Sequence, residues 1–129
     1  MLLFGHPNIP YEKLYHVSSV EAIAHTPPNA CLLFSGDKEV YELIEHARQN
    51  ILEFAMDISS LKEAIIYENL DAKYLLLNHE IAKSVQKAAD TYLFDAKILV
   101  HIENEESIET LAEEGVDGVI FSEAVIKIS

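Results

Sequence analysis

The chain has 129 residues, half of them apolar and 24% charged, with 22 acidic side chains against nine basic ones for a formal charge of −13. That length supports one domain around one continuous core, and that composition excludes a disordered or fibrous chain. The acidic balance argues against binding nucleic acid or an anionic lipid surface, since both depend on clustered Lys and Arg.

The opening MLLF is too short for the apolar core of a signal peptide and lacks a basic flank. No stretch approaches the about 18 apolar residues of a membrane span. The expectation is a cytoplasmic protein with no direct membrane insertion. Next, HPNIPYEKLYHV carries two prolines and supplies an extended segment from Tyr11 to Val17. SSVEAIAH has Ser18 and Glu21 in capping-box spacing, which predicts a short helix that TPPNA ends. Residues 1–30 are expected to form an N-terminal arm or an extra strand–helix unit of a single domain spanning 1–129, because about 30 residues cannot bury a core of their own.

From Cys31 onward, apolar runs alternate with amphipathic stretches. The runs are CLLF (31–34), ILEFAM (51–56), KYLLL (73–77), KILVHI (97–102) and GVIF (118–121), with starts 20 to 24 residues apart. That spacing fits one strand plus one crossover helix each. Between them Val40, Leu43, Ile44 and Ala47 mark one helical face; Leu61, Ala64 and Ile65 mark a second; Ile81, Val85, Ala88, Ala89 and Tyr92 a third; and Ile108, Leu111 and Ala112 a fourth. Gly115 suits the left-handed position after the last of these helices. Cys31 is the only cysteine, so no internal disulfide can form, and it reads as a small core residue. The expected fold is a three-layer, Rossmann-like open parallel sheet of five or six strands with helices on both faces.

In such a sheet a ligand sits beyond the carboxyl ends of the strands. Those ends carry Ser35, Gly36 and Asp37; Asp57; Asn78, His79 and Glu80; Glu103 and Asn104; and Ser122 and Glu123. The candidate ligand-binding residues are Ser35, Gly36, Asp37, Asp57, Asn78, His79, Glu103 and Ser122, with Asp57 as a hydroxyl acceptor and His79 as a potential base or cation ligand. Ser, Asp, Asn and Glu are also what helix N-caps and first turns prefer, so each has a purely architectural reason to stand there. His101 alternates within its strand and reads as a core or edge histidine.

The stretch CLLFSGDKEV has the shape of a phosphate loop, yet G-x-G-x-x-G laid on it meets Phe34, Gly36 and Glu39, so one glycine of three matches. Asp37 and Glu39 crowd negative charge there, with Lys38 to offset it. No nucleophile elbow occurs, and neither Ser35 nor Ser122 has a base beside it in sequence. With one cysteine and no two histidines at i, i+4, no zinc spacing exists and no metal site is assigned.

The run DAKYLLLNHEIAKSVQKAADTYLFDAKILVHIENEESIETLAEEGVDGVIFSEAV, about residues 71–125, resembles the latter part of TrkA-N, or RCK, domains, the Rossmann-like regulatory modules of potassium channels and transporters. The resemblance implies a nucleotide as ligand, held by a glycine-rich first loop and an acid after the second strand. Gly36 and Asp57 match those positions; Phe34 and Glu39 depart from them. It also implies a homo-oligomer and a membrane transport protein as partner. In addition, ILVHIENEESIETLAEEGVDGVIF is similar to the late units of sugar-phosphate (βα)8 barrels of the aldolase or epimerase type. A full barrel needs more than about 200 residues, so this chain would be at most a half-barrel.

Three functions follow as expectations. The first is a non-catalytic ligand-sensing or assembly domain with a degenerate nucleotide site. The second is a small Mg²⁺-dependent enzyme or half-barrel using Asp57, Glu103 and His79 on a sugar phosphate or other small polar substrate. The third is a structural interaction protein without a small-molecule site.

Overall fold

A computed structural model describes residues 1–37 and 39–128; Lys38, expected to offset charge in the first turn, lies outside the described residues. In chain order the elements are β1 (Leu2–Phe4), β2 (Leu14–His16), α1 (Val20–Ile23), β3 (Cys31–Ser35), α2 (Val40–Gln49), β4 (Phe54–Asp57), α3 (Leu61–Asn69), β5 (Tyr74–Leu77), α4 (His79–Tyr92), β6 (Lys97–His101), α5 (Glu106–Glu113), β7 (Gly118–Ile120), a 3₁₀ turn (Ser122–Ala124) and β8 (Val125–Lys127). All strands join one sheet in the order β1-β7-β6-β5-β4-β3-β2-β8, and every pairing is parallel.

The parallel strand–helix–strand alternation is as expected, and two finer expectations are corrected. The sheet has eight strands rather than five or six. The helices cover one face rather than two: residues from α1 through α5, among them Ile23, Ile44, Tyr67, Val85 and Leu111, share a core cluster with Leu32, Phe34, Met56, Leu75, Ile98 and Val119 of the strands. The alternate strand residues, Leu14, Leu33, Ala55, Leu76, Leu99 and Ile120, form a second cluster that contains no α-helical residue. The strand order explains this. From β2 to β7 each strand is laid beside its predecessor, and successive crossovers of the same, right-handed sense land on the same side.

The second face must be covered by something else, and the chain covers it by curling. β7 and β8 stand six positions apart in the sheet, about 29 Å if it were flat at about 4.8 Å per strand. Only residues 121–124 join them, and five chain steps reach about 18 Å at most. The sheet is therefore bent into a half-barrel, with helices outside and the second cluster inside. Side chains meet across the concavity: Phe4 of β1 packs edge-on against Tyr74 of β5, three strands away, with ring centroids 5.1 Å apart.

The segment between β1 and β2 crosses this concave side. Tyr11 packs on the inner cluster, and the Glu12 carboxylate accepts from the Tyr74 hydroxyl at 2.7 Å and from Lys73 Nζ at 3.2 Å. Gly118 lets β1 approach β7: a Cβ there would lie 2.7 Å from both Leu2 Cβ and the Leu2 carbonyl oxygen.

Local signals held with small shifts. Gly115 takes φ +80 after α5, the left-handed conformation expected. The cap of α1 is Ser19, whose hydroxyl accepts from the Ala22 amide, rather than Ser18. The run ILEFAM enters the sheet only at Phe54, because its first residues close α2: Ile51 sits at φ 55 and Leu52 donates to the Ala47 carbonyl. No helix of the described residues is long and apolar enough to cross a membrane.

Candidate functional site

Because the strands run the same way, their carboxyl ends share one rim of the half-barrel. Four residues each stand two places after a member of the inner cluster, and so face the concave side: His16 after Leu14, Ser35 after Leu33, Asp57 after Ala55 and His101 after Leu99. They are bonded in pairs. His16 Nε2 lies 3.1 Å from Ser35 Oγ, and His101 Nε2 donates to Asp57 Oδ1 at 3.1 Å. Ser35 and Asp57 are register partners on β3 and β4, which joins the pairs into one row. The row is open to solvent; the Asp57 and His101 side chains are 41% and 33% exposed. The Asp57–His101 bond spans β5, which the curl of the sheet permits.

Chemically, the row offers a hydroxyl, a carboxylate and two imidazoles above an apolar floor. With its proton on Nδ1, His16 accepts the Ser35 hydroxyl hydrogen; with the proton on Nε2, it donates to the same oxygen. Neutral His101, donating through Nε2, keeps an Nδ1 lone pair for a ligand hydroxyl or amine. At the same rim the Asn8 amide donates to His6 Nδ1, which leaves Nε2 to donate to Glu105 at 2.5 Å.

The sequence-predicted residues lie at this rim in separate groups rather than around one point. Ser35 and Asp57 belong to the row. Gly36 faces α3: a Cβ there would stand 3.0 Å from Glu63 Oε2 and 3.4 Å from the Tyr67 hydroxyl. Asp37 is exposed and accepts from the Glu39 amide in a local turn. Asn78 precedes α4 without a side-chain cap bond. His79 is engaged on the helix side, donating to Glu114 Oε2 at 2.7 Å. Asn78, His79 and Glu103 line a hollow of about 570 Å³ between α4 and α5, which His101 also reaches. Ser122 begins the 3₁₀ turn, and its carbonyl accepts from the Val125 amide. Among the described residues, no three or more His, Cys, Asp or Glu are grouped to hold a metal ion, so Asp57, Glu103 and His79 are not a ready ligand set.

The two members of the row that sequence reading did not place in the site are His16 and His101. His16 ends an extended segment whose apolar alternation, Leu14 inward and His16 two places on, was the available signal.

The opposite rim carries the larger hollow, about 990 Å³ beside α2 and α3, lined by residues including Ile44, Leu52, Leu70 and Arg48. Several of its charged groups are paired, Arg48 with Asp71 and Lys73 with both Glu53 and Glu12. Burial works against the charge of Lys73, but bonds to Glu53 and Glu12 outweigh it and hold the ammonium above the usual lysine range. Burial and the Glu12 bond likewise push the Tyr74 phenol up. Nearby, burial raises the Cys31 thiol to about 12. In barrels of parallel strands this amino end serves stability and the carboxyl end carries function. The row at the carboxyl rim is therefore the candidate site. No protein-family model matches the chain, and no curated protein matches it.

Proposed function

We propose that the chain is a ligand-binding module whose site is the row His16, Ser35, Asp57 and His101, and that its ligand is a small, hydroxyl-bearing molecule without phosphate. The observation that carries this is the pairing of four inward-facing polar side chains at the carboxyl rim, directly above the apolar inner cluster. Ligand sites combine an apolar wall with a few convergent polar groups in this manner.

The turn after β3 speaks for a ligand without phosphate. The Glu63 carboxylate sits against Gly36, where a phosphate would need backbone donors and positive charge. The likeness to TrkA-N domains favours a sensing use of the site, with a transport protein or a second copy of the chain receiving the signal, and the Gly36 turn disfavours that family's nucleotide.

Amide chemical-shift mapping tests the reading. Glycerol, ribose and glucose, then AMP, ADP and NAD, with and without Mg²⁺, are titrated into the labelled protein. A polyol is expected to move the amides around residues 16, 35, 57 and 101, and Asp57→Ala to remove the effect. Shifts confined to the hollow near Arg48, or a nucleotide response centred on Gly36, would refute it.

A further inference from the structure

The row contains a hydroxyl and an imidazole within bonding distance. His16 and Ser35 stand on adjacent strands, on the concave face, at the solvent-open end. A serine hydroxyl whose hydrogen is accepted by an imidazole is an activated nucleophile. Leu33, Leu76 and Leu99 are buried in the inner cluster beneath the row. Asp57, the register partner of Ser35, repels an anionic substrate.

We propose that Ser35 and His16 form a nucleophile–base pair that hydrolyses small neutral esters, an inference that rests on the reading of this rim as the ligand site. Ser35 Oγ forms a bond to the ester carbonyl carbon while its proton passes to His16 Nε2. The bond from carbon to the leaving oxygen breaks, and that oxygen takes the proton from His16. Water then adds to the acyl-serine, gives its proton to His16, and Ser35 departs with that proton. The sum is ester plus water giving acid plus alcohol.

The test uses p-nitrophenyl butyrate with the full chain, followed as p-nitrophenolate release, and a fluorophosphonate probe read by peptide mass. Ser35→Ala and His16→Gln are each expected to lower the rate at least about 100-fold, with circular dichroism melts checking that both fold, and Ser18→Ala to retain it. The probe adduct is expected on Ser35 of the unaltered protein, a readout independent of any variant. A rate in Ser35→Ala equal to the parent, which surface histidines acting alone would give, overturns the proposal, as does an adduct elsewhere or none. If hydrolysis fails while glycerol still moves the rim amides, the reaction falls and the binding reading stands. If neither occurs, both fall.

Discussion

Replacing Gly118 by alanine tests the closeness of β1 to β7. The added methyl would stand 2.7 Å from Leu2 Cβ, 2.7 Å from the Leu2 carbonyl oxygen and 2.8 Å from Leu99 Cδ2. Carbon atoms rest at about 3.5–4.0 Å, so about 1 Å of retreat is needed. Leu99 is fully buried and has nowhere to move, and Leu2 is fixed by its pairing with Gly118. The strain of an extra methylene in a packed core costs about 1–3 kcal/mol. Displacing β1 adds about 0.5–1.5 kcal/mol for each ladder hydrogen bond weakened. A loss of about 2–4 kcal/mol follows, a large part of the about 5–15 kcal/mol typical of a domain. Urea denaturation should show a lower midpoint at an unchanged slope. Gly115→Ala is the comparison: its surroundings are open, and only φ +80 opposes a side chain there, so about 1 kcal/mol is expected. A Gly118→Ala variant less damaged than Gly115→Ala would refute the close approach of β1 and the curl that depends on it.

Tyr74→Phe removes a 2.7 Å bond to Glu12; because Glu12 is a third exposed and keeps Lys73, the loss should be about 1 kcal/mol, and an unchanged melting temperature would show that this contact does not hold the β1–β2 segment. The Cys31 thiol titrates near 9 unfolded and at about 12 folded. Above pH 9 the unfolded chain therefore gives up a proton that the native state keeps, so stability present below pH 9 declines toward pH 12. A Cys31→Ala variant should lose part of this alkaline decline, and the native thiol should react with a disulfide reagent only as fast as the protein opens. Ser19→Ala should cost about 0.5–2 kcal/mol through its lost cap, whereas Ser18→Ala should leave the denaturation midpoint unchanged; the reverse result would restore the capping box that the sequence spacing suggests.

The inner strands and four of the helices were legible because each carries its own periodicity: CLLF, YLLL and KILV are buried throughout or nearly so, and Leu43, Ile44 and Ala47 repeat at helical spacing. The curl was not legible in the same way. It depends on β1 and β8, each three residues long and too short to show a pattern, and on pairings that no local window contains. The layering went astray for the same reason, since which face a helix covers follows from strand order. For the proposed site, the polar ends of the strands pointed to the rim that carries the row, and Ser35 and Asp57 were among the residues named. Their partners were hidden. Asp57 meets His101 across an intervening strand, and Ser35 meets His16 from a segment whose strand boundaries the prolines obscured. His79 drew attention as a histidine between Asn78 and Glu80, but its ring serves a contact with Glu114 that sequence distance conceals.

The two edges of the sheet impose an order on folding. Leu2 pairs with Gly118 and Leu14 with Val125, in each case more than a hundred residues along the chain. During synthesis, at about 5–20 residues per second, the first two strands therefore wait on the order of 5–20 s for those partners. The neighbouring pairs from β2 to β7 can zip up one after another in the meantime. The late event is the docking of both sheet edges, so a chain stalled before residue 118 exposes Phe4 and Leu14 without partners on that side, and a chaperone that binds apolar segments would find its targets in β1 and β2 rather than in the strands between β3 and β6.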